Sequence, residues 1–273
     1  MAGNYLRQGI NLLPYPLKRA LNRVIPWVVY TEYDTSEEWR KKASREGWQA
    51  IYWHNEHYNN LFDAEQKRYL QEYLWKNKID FSEPILDIGC GIGRLSKFLS
   101  EMGYKDITGV DFAEMISEAK KRNNADSIYY VASPAQDFLS ERKFKLIISS
   151  SCFGVIRKRD LLFKSLNNCI AMQQKDAYML MMDPFHRTKF LAQSRVRISG
   201  KEIVTHMKSK GYQLEEKSGM LFFPVKVLIT DRYDMSEPTT RRLFCWGERA
   251  LGFLSKSYLS DYKILSFRKV RLY

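Results

Sequence analysis

The chain has 273 residues, 45% hydrophobic and 14% aromatic, enough to bury a full core and too much for a disordered polypeptide. Its 44 Lys and Arg against 31 Asp and Glu leave a formal charge of +13, which favours anionic partners such as a membrane surface, a nucleic acid, or a phosphorylated or glycan-lipid substrate. The cysteines Cys90, Cys152, Cys169 and Cys245 form no CxxC pair, which argues against a zinc cluster or a disulfide framework, and each reads as a small buried residue.

Residues 1–80 read as a helical, aromatic-rich extension. Leu17, Ala20, Leu21, Val24 and Val28 fall on one helical face with Lys18, Arg19 and Arg23 off it, and Pro26 ends or kinks that helix. Asn11, Pro14 and Lys18-Arg19 interrupt any secretory h-region, and the longest apolar runs, such as Ala177 to Met182, are far too short to cross a bilayer. The expected location is the cytoplasm, with the basic ends and the amphipathic helix suiting peripheral contact with an anionic membrane. Tyr52-Trp53-His54-Asn55-Glu56-His57-Tyr58 packs two histidines and three aromatics into seven residues; HxxH lacks the usual helical i,i+4 metal geometry, so no metal is expected there. A helix is expected from about Ala64 to Asn77.

From Glu83 strands alternate with helices. Strands are expected at Pro84–Ile88, Ile107–Val110, Ile128–Val131, Phe144–Ile148 and Ala177–Met182, with helices after Gly93, from Ala113 to about Arg122, and from Asp160 to Ile170. Ser199 and Glu202 have the spacing of a capping box, opening a helix that stops at Gly211. Tyr212–Ser218 and Asp261–Lys269 read as an antiparallel edge hairpin, interrupted by an insertion at 219–260 with a helix from Pro238 to about Leu254. The expected fold is α/β: a doubly wound, mostly parallel seven-stranded sheet over 81–273, with the helical extension before it.

In such sheets the ligand sits beyond the carboxyl ends of the strands, where the strand order reverses. The loop after the first strand carries Gly89, Gly91 and Gly93, which let bare backbone turn sharply and approach a ligand. The spacing is GxGxG, not the GxGxxG of nicotinamide and flavin enzymes, and Asp87 ahead of it would repel a pyrophosphate but suit a cofactor bearing an ammonium and a sulfonium. Asp111, ending the second strand, is placed to accept hydrogen bonds from ribose hydroxyls.

Residues 83–183 resemble the core of class I S-adenosylmethionine-dependent methyltransferases, most nearly the quinone-biosynthesis type. Leu86 to Gly93 matches their first motif, Gly109-Val110-Asp111-Phe112 the acidic-strand motif, and Ala135-Gln136-Asp137-Phe138 the adenine-side motif. The resemblance implies S-adenosyl-L-methionine as cofactor, held by Asp87, Gly89, Gly91, Gly93, Asp111, Phe112, Ala135 and Gln136. Gly91-Ile92-Gly93-Arg94 and Ala135 to Phe138 also resemble protein N-terminal methyltransferases, a likeness that pairs Arg94 with the cofactor carboxylate and Gln136 with adenine. Asp137 itself reads first as a turn or helix cap.

Methyl transfer needs alignment, exclusion of water and at most one base. His186, just past the fifth strand, is the first candidate base, since loops at that end of the sheet face the ligand and imidazole titrates near neutrality. His54 and His57 are the alternatives, because the segment before the first strand lids the cofactor in the resembling families. The fourth strand ends Ser149-Ser150-Ser151-Cys152-Phe153, with no Asn/Asp-Pro-Pro-Tyr/Phe, which argues against the familiar amino methylation of adenine or glutamine. The expected acceptor is an oxygen or nitrogen of a small-molecule, lipid or glycan-type amphiphile. Methylation of a protein terminus or an RNA is the alternative, and a non-catalytic scaffold that keeps the fold is a second.

Overall fold

The computed structural model describes residues 36–43, 55–186, 198–230, 235–254 and 256–270. The amphipathic helix expected at Leu17–Val28 and the candidate His54 lie outside the described residues.

In chain order the elements are α1 (Ser36–Ala43), α2 (Glu56–Lys76), β1 (Ile85–Ile88), α3 (Arg94–Glu101), β2 (Ile107–Asp111), α4 (Ala113–Arg122), β3 (Ile128–Ala132), β4 (Phe144–Ser150), a single 3-10 turn (Phe153–Val155), α5 (Arg159–Ala171), β5 (Gln173–Asp183), α6 (Gly200–Ser209), β6 (Tyr212–Phe222), α7 (Phe223–Ile229), α8 (Glu237–Phe253), α9 (Lys256–Leu259) and β7 (Ser260–Lys269). The strands form one seven-stranded sheet in the order β3-β2-β1-β4-β5-β7-β6. The first five are parallel, and β7 runs antiparallel to both β5 and β6. Order reverses between β1 and β4, where Asp87 pairs in register with Gly109 on one side and Ile148 on the other.

The central strands are mostly buried because both faces are covered; all four residues of β1 are buried. Along β5, Tyr178, Leu180 and Met182 face one core while Met179 and Met181 face the other. The first core takes Phe62, Leu70 and Leu74 from α2, Leu95 and Leu99 from α3, and Phe244 and Leu251 from α8; the second takes Leu162 and Leu166 from α5 and Ile203 and Met207 from α6. The helix expected at Ala64–Asn77 is thus longer than its apolar signal and is part of the fold's core. Asn55 caps it by accepting from the Tyr58 N–H at 3.0 Å.

At Ser199 the capping box is complete, with the Ser199 side chain on the Glu202 N–H and the Glu202 carboxylate on the Ser199 N–H. Among the described residues the insertion between β6 and β7 holds α7, α8 and α9, and α8 starts within a residue of its expected position because Pro238 suits the first helical turn. It buries Thr240, Phe244, Gly247 and Leu251, and the Phe244 and Tyr58 rings meet edge to face at 5.7 Å. Cys90, Cys152 and Cys169 are buried as expected of small apolar side chains; Cys245, on the outer side of α8, is exposed and departs from that expectation.

Candidate functional site

A cleft of about 800 Å³, counting the part open to solvent, lies at the carboxyl ends of β1, β2 and β4. Gly89, Gly91, Asp111, Phe112, Met115, Ala135, Gln136, Ser150, Cys152 and Ile156 are among its wall residues.

The glycine loop is built for close approach. Gly89, Gly91 and Gly93 have φ of +72°, +57° and +77°, a region costly for residues with a Cβ. A Cβ on Gly89 would stand 2.4 Å from the Cys152 Cβ, so the loop lies directly against the chain leaving β4. Gly93 is instead buried behind the loop, filled by the Tyr130 ring, and serves as the N-cap of α3.

Asp111 sits on the cleft wall with one backbone N–H on each carboxylate oxygen, Gly91 to Oδ2 and Phe112 to Oδ1, both at 2.7 Å. Those bonds fix the carboxylate's plane and leave further lone pairs for a ligand. Burial nevertheless raises its pKa to about 6, against the opposing pull of the two N–H groups, with the neighbouring Asp87 charge adding to the rise.

Asp87 is not where the sequence reading put it. It is 1% exposed, lies off the cleft wall, and accepts from Ser96 Oγ at 2.7 Å. The physical reason is strand alternation: Leu86 and Ile88 face the second core, so Asp87 points to the other side, toward α3. Burial raises its pKa to about 6, opposed by the Ser96 hydroxyl and the Arg94 charge.

Arg94 is on the wall, and its guanidinium is already engaged: Nη1 donates to Asp63 Oδ1 at 2.5 Å and Nη2 to Gln66 Oε1 at 2.6 Å. Gln66 in turn donates to Ser150 Oγ at 2.8 Å. This chain of polar groups ties α2 to the ends of α3 and β4, and sequence reasoning missed both Asp63 and Gln66. Ser151 was also missed; it lines the cleft in the left-handed region at φ +62°, with Tyr262 OH 2.7 Å from its hydroxyl. A non-glycine residue held in that conformation stores strain that its surroundings must sustain. The polar run Ser149-Ser150-Ser151, following an apolar strand, was the available signal.

On the adenine-side segment, Ala135 and Gln136 line the cleft, with the Gln136 carbonyl accepting from Asn168 at 2.9 Å. Asp137 turns outward to Lys164 at 2.9 Å, so its side chain serves the surface. Across the opening, Trp39 of α1 lines the cleft while Ala43 packs with Ile92 and Met115, and Arg40 stacks over the Phe112 ring at 5.4 Å. Of the described part of the N-terminal extension, α1 therefore borders the cleft through Trp39, while α2 packs in the core.

His186 does not reach it. The ring is 3% exposed, with Nε2 3.2 Å from Asp261 Oδ1, and Lys226 Nζ holds the other Asp261 oxygen at 2.8 Å. Of the residues after β5, His186 packs against Asp261 of β7 and the Phe223 ring and is not part of the cleft wall, so the placement expected of a base is not met. His57 lies half-buried in the first turn of α2, away from the cleft wall. Among the described residues that line the cleft, the ionisable groups are Asp111, Arg94, Cys90 and Cys152. Among the described residues, no group of three or more His, Cys, Asp or Glu is placed to hold a metal ion.

Residues 85–173 match the family model described as a methyltransferase domain. The "eEF1A lysine and N-terminal methyltransferase" of Danio rerio is 20% identical over 80% of this chain and 31% of its own length; the chain thus spans about a third or less of the curated relatives it matches. Among solved structures, the N-methyltransferase NodS from Bradyrhizobium japonicum WM9, in complex with S-adenosyl-L-homocysteine, aligns at TM-score 0.58 and 14% identity over 88% of this chain and 100% of that one. Magnesium protoporphyrin IX methyltransferase (ChlM) from Synechocystis PCC 6803, with bound SAM, aligns at TM-score 0.54 and 11% identity over 93% of this chain and 96% of that one. The fold is that of the class I methyltransferases, and the segment from β1 to the start of β5 is the part of the chain that matches the methyltransferase-domain model.

Proposed function

We propose that the methyltransferase domain at 85–173 binds S-adenosyl-L-methionine in this cleft and transfers its methyl group to an oxygen or nitrogen acceptor. One observation carries the reading: a carboxylate, Asp111, set by two backbone N–H groups beside bare glycine backbone at the point where strand order reverses. The cleft fits the cofactor's chemistry, with an acceptor-only group for a diol, apolar side chains for a purine, and a guanidinium for a carboxylate.

In this reading Asp111 accepts from the ribose hydroxyls. Phe112, Met115, Ala135 and Gln136 enclose the base, and Arg94, steadied by Asp63 and Gln66, faces the amino-acid end. Asp87 acts from behind, holding Ser96 at the start of α3. The sulfonium supplies a methyl carbon already activated for in-line displacement, so the chain's own task is to orient the acceptor and exclude water. Trp39 and the rest of α1 serve the second task. With Asp111 committed to the cofactor, the described wall offers no imidazole base, which favours acceptors that lose their proton to solvent.

The acceptor we place first is a small-molecule or amphiphilic lipid or glycan compound. A second reading, methylation of a protein amine, is supported by the Danio rerio relative, whose match extends over 80% of this chain. Tritiated methyl donor incubated with the protein and separate pools of amphiphiles, lysine- and amine-terminated peptides, and RNA tests both. Label in the first pool is expected; label confined to peptides would move the assignment to the second reading, and label in none would contradict the transferase.

A further inference from the structure

We propose that the outer face of α8 and the turn after it dock onto an anionic lipid bilayer. The inference concerns a surface outside the cleft and stands whether or not methyl transfer does. On α8 the buried positions Thr240, Phe244, Gly247 and Leu251 define one face. At 100° per residue the opposite face is centred on Arg242, Trp246, Arg249 and Phe253, with Cys245 beside them, and all five are exposed.

A helix that had only to pack on a sheet would turn polar residues outward. This one turns out Trp246 at 60% exposure and Phe253 at 93%, followed by exposed Leu254 and by Tyr258 at 68%. Cations alternate with the aromatics. Arg242, Arg249 and Lys256 have no ion pair among the described residues, while Arg241 pairs with Glu237 at 3.2 Å. The nearby acid, Glu248, is turned inward, accepting from the Phe222 N–H at 3.1 Å, and so does not neutralise the face. Apolar rings interleaved with cations match the acyl–headgroup boundary of a bilayer carrying negative charge.

Other occupants fit less well. A second copy would set arginine against arginine across a two-fold axis. A nucleic acid calls for a basic groove, whereas this is the flank of a single helix bearing an aliphatic Leu254. The placement also serves the cleft: β6 is parallel to β5, since both oppose β7, so it ends at Phe222 on the carboxyl side of the sheet, and the insertion springs from there. Among the described residues no helix is long and apolar enough to cross a membrane, so the contact is peripheral.

Flotation of the full chain with phosphatidylcholine vesicles, and with vesicles in which about a third of the lipid is phosphatidylglycerol, tests the proposal. Binding is expected to the anionic vesicles alone and to weaken with salt. Arg242→Glu/Arg249→Glu is expected to lower it about tenfold or more, and Phe253→Ser several-fold, with far-UV circular dichroism unchanged. A polarity-sensitive fluorophore on Cys245, the exposed thiol among the described cysteines, is expected to shift blue on the anionic vesicles. Absence of binding, binding that both variants keep, or the same probe shift and variant dependence with RNA or with a second copy instead of lipid would overturn it.

Discussion

Asp87 and Asp111 are neighbouring carboxylates, each expected from the sequence to hold the cofactor, and the structure divides them by role. Asp111 faces the cleft with both oxygens aligned; Asp87 is sealed behind the loop by Ser96. Replacing Asp111 with Ala is expected to weaken S-adenosylmethionine binding at least tenfold, since hydrogen bonds to a charged group are worth about 1.5–3 kcal/mol each. Calorimetric titration of the folded variant checks this. Both carboxyls have pKa values raised to about 6 by burial. A raised carboxyl pKa means the native state binds more protons than the unfolded state between the ordinary carboxylate range and pH 6, so stability falls as pH rises through that window. Asp87→Asn is therefore expected to stabilise the ligand-free protein at pH 7 by about 1–3 kcal/mol and to flatten its pH 4–6 stability slope, measurable by denaturant melts. His186 belongs to stability as well. Buried against Asp261 and Lys226, it is a part of the packing under the insertion, and His186→Ala is expected to lower the melting temperature by several degrees while turnover per folded molecule holds. A loss of turnover without loss of stability would return it to the chemistry.

At the scale of elements, the loop between β1 and α3 works because three positive-φ glycines let backbone pass where side chains cannot. Gly89→Ala would place a Cβ within 2.4 Å of the Cys152 Cβ in a strained conformation. It is expected to cost about 2 kcal/mol or more of stability and to abolish cofactor binding, read by thermal melts with and without ligand. The same loop shows what could be read in advance. β1, the glycine spacing, Asp111 and the Ser199 capping box are local patterns, each set by residues within a few positions of one another, and each was legible. Asp87's inward turn was not read: alternation puts it opposite Leu86 and Ile88, but with β1 buried on both faces that does not say which side opens to a ligand. The placement of His186 was not legible, because its partner Asp261 is 75 residues away and the insertion that closes over it comes between. Gln66 and Asp63 escaped for the same reason: what they hold, Arg94 and Ser150, comes from elements that meet them only once the sheet has formed.

At the scale of the whole molecule, seven strands were legible because strand-sized apolar runs alternate with helical stretches, and the antiparallel edge because no helix lies tightly between its strands. The extension before the sheet and the insertion near its end do more than decorate it. α2 and α8 share a core with β5 and β7, while α1 borders the cleft. Among the described residues, the cleft has the sheet's switch point as its floor, and Trp39 on its wall comes from outside the matched domain. The most direct measurement is calorimetric titration of the full chain with S-adenosylmethionine and with NAD. Saturable one-to-one binding of S-adenosylmethionine, weakened at least tenfold in Asp111→Ala and absent for NAD, is expected. No heat from S-adenosylmethionine with the folded protein, or tighter binding of NAD, would contradict the account.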